Sequence, residues 1–158
     1  MKFERIGLIG YGEVGKIFSA GVALQAGVTG VSAWDLKFVQ PATQAMELAN
    51  AAQAGIDAHA SMQALCEASE LIFSAVTASN TLVVAQEAAL IIRPGTVFPD
   101  LNSASPGTKQ QCAALIDAAG AHYVEAGVMT SVPPYGIRVP MLLGGAHAAR
   151  PQPVLAAP

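Results

Sequence analysis

Three glycines near the start of the chain constrain it more than any other feature. Ile6, Leu8 and Ile9 make a short apolar strand, and Gly10, Gly12 and Gly15 follow in the spacing G-x-G-x-x-G, where an amphipathic helix should begin. The first glycine permits a tight turn out of the strand, the second lets the backbone approach a pyrophosphate, and the third lets the helix lie close against the strand. An anion placed there meets unpaired N–H groups and the positive end of the helix dipole. A glycine-rich turn alone is weak evidence. Here Ser32, Ala33, Trp34 and Asp35 read as the end of a second strand, placing a carboxylate 20 residues after Gly15, the separation expected of an acid that binds an adenosine ribose.

The 158 residues make one ordinary domain, long enough to bury a sizeable core. A net charge of −3 with eight Lys and Arg argues against a nucleic-acid surface, which must neutralise many phosphates. The hydrophobic fraction is high at 53%, yet no window reaches the roughly eighteen uninterrupted apolar residues of a membrane span. The first residues show no apolar signal core, so a cytoplasmic location is the expectation. Cys66 and Cys112 lack metal-ligand spacing and read as buried free thiols.

Along the chain, strands alternate with helices. Ile17, Phe18, Val22 and Leu24 recur at helical spacing, with Gly27 closing the pattern. Strand two is expected over residues 28–34, an alanine-rich helix over 41–54, a weak strand over 55–59 and a short helix from Ser61. Strand four is the run 71–76, whose continuous hydrophobicity suits burial on both faces. A helix over 80–92, strand five over 96–98, a helix opened by Ser105 and Pro106, and strand six over 122–126 complete the series. This alternation implies right-handed crossovers and a parallel sheet, an α/β fold that is doubly wound and of Rossmann type. Residues 1–145 form the dinucleotide-binding domain in this reading. Residues 146–158 are a tail or the start of a linker, and the three prolines among the last eight suit a helix poorly.

The cofactor set expected from these positions is Gly10, Tyr11, Gly12, Glu13, Val14 and Gly15 in the turn, Asp35 after strand two, and Val76 and Thr77 after strand four. Glu13 must point to solvent, since a carboxylate beside a pyrophosphate would repel it. Thr77 either touches the nicotinamide-side ribose or merely opens the next helix. Asp35 favours NAD over NADP by repelling the extra phosphate, although Lys37 nearby softens the discrimination and leaves NADP possible.

The order of motifs over residues 3–145 resembles the 3-hydroxyacid dehydrogenase family, which includes 3-hydroxyisobutyrate and 6-phosphogluconate dehydrogenases. Four stretches carry the likeness: residues 7–15, with the glycine turn; 100–106, from Asp100 to Pro106; 125–131, from Glu125 to Ser131; and 141–145, ending in Gly144 and Gly145. The first is shared by many dinucleotide enzymes, and the second is more specific. The resemblance implies hydride transfer to or from a small anionic substrate, a 3-hydroxy acid, with Asn102 and Ser103 as substrate contacts. The competing reading of Asn102, Ser103 and Ser105 is a turn and a helix cap. For Ser105 the cap is favoured.

Two departures from the family stand out. Met129, Thr130 and Ser131 occupy the place of a Ser-Gly-Gly pattern, and Pro133, Pro134, Tyr135 and Arg138 are candidates for a different pocket floor. The family's catalytic lysine belongs to an all-helical second domain, and Lys109 does not match its motif; it reads as a solvent-facing helix residue. The chain is thus expected to be the cofactor half of an enzyme, inactive alone, and to associate as a homo-oligomer or with a helical domain. The resemblance also allows the cofactor domain of an imine reductase, or a non-catalytic dinucleotide-binding module. His59, His122 and His147 are read as separate surface or strand-end residues, and no metal site is expected.

Overall fold

The computed structural model describes residues 2–155. The elements follow in the order β1 (Arg5–Ile9), α1 (Glu13–Val22), β2 (Gly30–Trp34), α2 (Gln44–Gln53), β3 (Asp57–Ala58), α3 (Met62–Ala68), β4 (Leu71–Ser74), α4 (Thr81–Ala89), β5 (Val97–Asp100), α5 (Pro106–Ala118), β6 (His122–Val128), β7 (Met141–Gly144) and α6 (Gln152–Leu155). All seven strands form one sheet in the order β3-β2-β1-β4-β5-β6-β7. The first six run parallel and β7 returns antiparallel to β6, pairing Val128 with Met141 and Glu125 with Gly144. The doubly wound α/β fold expected from the sequence is the fold observed.

Alternation along the central strands feeds two cores. Ile6 and Leu8 of β1, Leu71 and Phe73 of β4 and Val97 of β5 join a cluster with Phe18 and Val22 of α1. Ile9, Ile72 and Phe98 point the other way, to Leu65 of α3, Val84 and Ala88 of α4 and Ile116 of α5. Period-two side chains on strands covered on both sides explain why these segments read as unbroken apolar runs. Strand order reverses between β1 and β4, so their C-terminal ends part into a crevice.

Several local expectations are corrected. α1 stops at Val22, leaving Leu24 outside the helix and 85% exposed. Strand five runs on through Pro99 to Asp100, and it registers with Leu71 and Ser74 of β4 through Val97 and Asp100, on either side of the proline that lacks an N–H. The apolar run near residue 141 is a strand, β7, because the backbone of β6 extends to Val128 and offers it a ladder. Lys109 is not solvent-facing: it is 5% exposed and directed inward from α5.

Residues 146–155 stay on the domain. Val154 of α6 is buried in the same core as Phe18, with Pro153 inside the single turn that the prolines were expected to disfavour. His122 and His147 are not separate: their rings meet with centroids 4.2 Å apart, and Arg150 Nε donates to His147 Nδ1 at 3.2 Å. Both cysteines are free and buried. Among the described residues no helix is long and apolar enough to cross a membrane, and no group of side chains is arranged to hold a metal ion.

Candidate functional site

The crevice at the strand reversal opens into a cleft of about 730 Å³. Its wall begins where β1 ends. Gly10 has φ +102°, a left-handed conformation that L side chains rarely adopt, and a Cβ there would overlap the carbonyl of Ala75, just beyond β4. Its N–H donates to the Trp34 carbonyl at 2.8 Å, tying the turn to β2. Gly15 is buried beneath the turn, where a Cβ would overlap the Gly10 carbonyl, so α1 packs directly on the loop. Gly12 is different. It caps α1, no side chain caps the first turn, and a Cβ there would meet no protein atom within 4 Å. Gly12 faces the cleft and leaves room there for something that is not protein.

Asp35 stands at the exit of β2 with both carboxylate oxygens engaged by backbone. Oδ2 accepts the Tyr11 N–H at 2.7 Å and Oδ1 the Lys37 N–H at 2.9 Å. It therefore caps the turn after β2 and braces the glycine loop while lining the cleft. Each carboxylate oxygen accepts two hydrogen bonds, so capacity remains for ligand hydroxyls.

On the other side of the reversal, the exits of β4 and β5 are locked together. Asn102 is buried; its Oδ1 accepts the Val76 N–H at 2.7 Å and its Nδ2 donates to Ser74 Oγ at 3.0 Å. Its own N–H donates to Asp100 Oδ1 at 2.9 Å. Asp100 also accepts the Tyr123 hydroxyl on Oδ2 at 2.8 Å, and Lys109 Nζ lies 3.3 Å from Oδ1 and donates to the Asp100 carbonyl at 3.0 Å. Burial, then the Asp100 carboxylate, push the Tyr123 phenol far above its ordinary range, so it stays a donor. Ser103, one residue further, is exposed at the cleft rim.

The cleft thus brings together Gly10, Gly12, Glu13, Val14, Asp35, Val76, Thr77, Asn102 and Ser103. Glu13 is exposed, and Thr77 opens the turn before α4, its Oγ1 accepting from Asn80 Nδ2 at 2.7 Å. Tyr11 and Gly15 lie behind the wall: the Tyr11 ring is buried against Phe38, with centroids 5.6 Å apart. Neither residues 129–131 nor Pro133, Pro134, Tyr135 and Arg138 line this cleft; Ile137, between them, packs against Gly21 of α1. Sequence reasoning missed the apolar lining at the β2 side, Leu36, Met62 and Val83, together with Glu87. The available signal was a large apolar residue directly after Asp35, where the chain leaves the strand; Leu36 is 62% exposed there.

The site fits a dinucleotide on its own geometry: a helix N-terminus without a side-chain cap, an open Cβ position at Gly12, a carboxylate with spare acceptor capacity and an apolar slot beside it. Residues 5–151 match the family described as the NAD binding domain of 6-phosphogluconate dehydrogenase. The chain belongs to that family. Its cofactor is accordingly NAD, in the coarse sense that includes the phosphorylated form. Among solved structures it is similar to a conserved hypothetical protein from Sinorhizobium meliloti 1021, with 32% identity and a TM-score of 0.88 over 96% of this chain and 50% of that one. The fold is also that of a 3-hydroxyisobutyrate dehydrogenase from Mycobacterium tuberculosis, at 22% identity and TM-score 0.82 over 98% of this chain and 51% of that one. An imine reductase from Aspergillus terreus shares it at 21% identity and TM-score 0.75, over 99% and 53% of the two chains. This NAD-binding domain therefore spans about half the length of the structures it matches. No curated protein matches it.

Proposed function

We propose that this chain is the cofactor-binding half of an oxidoreductase that transfers hydride between NAD and a small 3-hydroxy acid. The observation that carries the reading is the convergence on one cleft of the glycine turn, Asp35 and the pair Asn102 and Ser103. A bare binding module needs the first two and can use Asn102 to lock the strand exits, but the exposed Ser103 hydroxyl at the cleft rim serves only a substrate. The adenosine half fits over β1 and β2, with its ribose hydroxyls on Asp35 and its base in the slot of Leu36, Met62 and Val83. The pyrophosphate fits the N-terminus of α1 at Gly12. The nicotinamide half then falls over β4 and β5, beside Val76 and Thr77, where Ser103 offers a hydroxyl to an anionic substrate.

When bound, the nicotinamide supplies or takes the hydride. The chain's own residues bind and orient. Asn102 acts chiefly through Val76, since both ends of its amide are engaged within the protein. Hydride transfer to a carbonyl also needs a proton donor, worth on the order of a hundredfold to ten-thousandfold in rate. Lys109, His122 and Tyr135 do not line the cleft, and Lys37, which does, sits beside Asp35 on the adenosine side. We assign the donor to a helical partner domain, which would also close the cleft against water.

Calorimetric titration with NADH and NADPH tests the cofactor assignment: NADH is expected to bind more tightly, and tighter NADPH binding overturns it. Assay of the chain alone with NAD and 3-hydroxy acids is expected to give no turnover. An ordinary enzymatic rate would contradict the assignment of the donor to another domain.

A further inference from the structure

The buried pair of Lys109 and Asp100 lies one layer behind the cleft and is used by nothing in the account above. Burying an ammonium and a carboxylate is costly unless both are paired and hydrogen-bonded, and a hydrophobic pair would pack as well or better. This pair is fully engaged. Three donors converge on the Asp100 carboxylate, from Lys109 Nζ, the Tyr123 hydroxyl and the Asn102 N–H, while Lys109 holds the Asp100 carbonyl as well. The carboxylate cannot turn without breaking one of them.

The same hydrogen bonds run on to the cleft. Asn102, its N–H fixed by Asp100, presents Oδ1 to the Val76 N–H and Nδ2 to Ser74 Oγ. Val76 lines the cleft on the side of β4 and β5, opposite Asp35. The path from Lys109 to the cleft is therefore four groups long, all of them polar and each within hydrogen-bond reach of the next. Its hydrogen bonds serve one half of the site: those of Gly10, Tyr11 and Asp35 share none of these partners, and the two halves meet where the Ala75 carbonyl packs on Gly10.

We propose that Lys109 and Asp100 are positioning residues for the nicotinamide half of the cleft, acting through Asn102 to fix the backbone of Val76. The proposal rests on the dinucleotide reading above. A merely structural pair would, on removal, loosen the whole domain and weaken every part of the ligand alike. A positioning pair should spare the adenosine half.

Two readouts on Lys109→Met separate these. The first is amide hydrogen exchange at Val76 in the ligand-free chain, expected to quicken about tenfold while Tyr11, held by Asp35, keeps its protection, since loss of one buried partner is worth about one power of ten. The second is calorimetry with NADH and with ADP-ribose, which lacks the nicotinamide: affinity for NADH should fall about tenfold and that for ADP-ribose should hold within about twofold. Where Lys109→Met does not fold, the double variant Lys109→Met with Asp100→Asn removes both buried charges together and is measured in the same way. Unchanged exchange at Val76, or equal loss of NADH and ADP-ribose, overturns the proposal. A wild-type chain that takes neither nucleotide contradicts the dinucleotide reading instead, and exchange at Val76 still decides the link from Lys109.

Discussion

The carboxylate of Asp35, at the exit of β2, accepts the backbone N–H of Tyr11 from inside the glycine turn at 2.7 Å. The residue expected to read the ribose is thus also the residue that holds the phosphate loop in place. Replacing Asp35 by Ala strips two backbone donors of their acceptor, at a cost of about 1–3 kcal/mol for each one left buried and unsatisfied. NADH affinity should fall in Asp35→Ala while the ratio of NADPH to NADH affinity rises, because the group that repels the extra phosphate is gone and Lys37 remains. Titration with both cofactors checks this; an unchanged ratio would mean that Asp35 only braces the loop.

The glycines of the turn should separate by role. Gly10→Ala meets a positive φ and the Ala75 carbonyl, and Gly15→Ala meets the Gly10 carbonyl, so both should lower stability, the former by about 1–3 kcal/mol or more. Urea unfolding measures it. A Gly10→Ala chain as stable as wild type would contradict the left-handed turn and the Ala75 contact at this glycine.

How much of this was legible in the sequence depends on how local each feature is. The turn, Asp35 and the strand exits are set within a few residues by glycine spacing and apolar runs, and they stand where the pattern put them. The inward turn of Lys109 was not legible: Cys112 and Ile116, three and seven residues on, mark the buried face of α5, but a lysine on that stripe reads as solvent-facing until its partner is known. Only the position of Asp100, across the start of that helix, decides it. The approach of His122 to His147 depends on the β6–β7 hairpin, a long-range pairing that an apolar run of five residues does not announce. Asn102 was marked by its likeness to a substrate residue, and nothing local told that its amide would be engaged by Val76 and Ser74.

That histidine pair predicts a pH response. Burial, then Arg150 and His147, hold the His122 imidazole below its ordinary value of 6.5, with Asp117 opposing them. The unfolded chain therefore takes up this proton at a higher pH than the folded one. Stability should be retained above about pH 6.5 and lost as pH falls below it. Thermal unfolding between about pH 7.5 and 5.5 should show a drop that is smaller in His122→Asn. An equal drop in both would remove His122 as its source.

The two cysteines should be inert in the folded chain. Burial, reinforced by Glu67, pushes the Cys66 thiol up to about 12, and burial raises Cys112 as well. At about pH 8 iodoacetamide should label neither until urea unfolds the domain, when both react, as mass spectrometry would record. Rapid labelling of Cys66 in the native chain would contradict its place between α3 and the sheet.

The most direct test of the central claim is the Gly12→Ala variant, titrated with NADH beside the wild type. A Cβ at Gly12 meets no protein atom within 4 Å, so the variant should lose no more than about 1 kcal/mol of stability, the cost of a poorer N-cap. It should nevertheless bind NADH at least about tenfold more weakly, because the added methyl group stands where the pyrophosphate must approach the backbone. Equal NADH affinity in Gly12→Ala and wild type would contradict the assignment of this cleft to the dinucleotide.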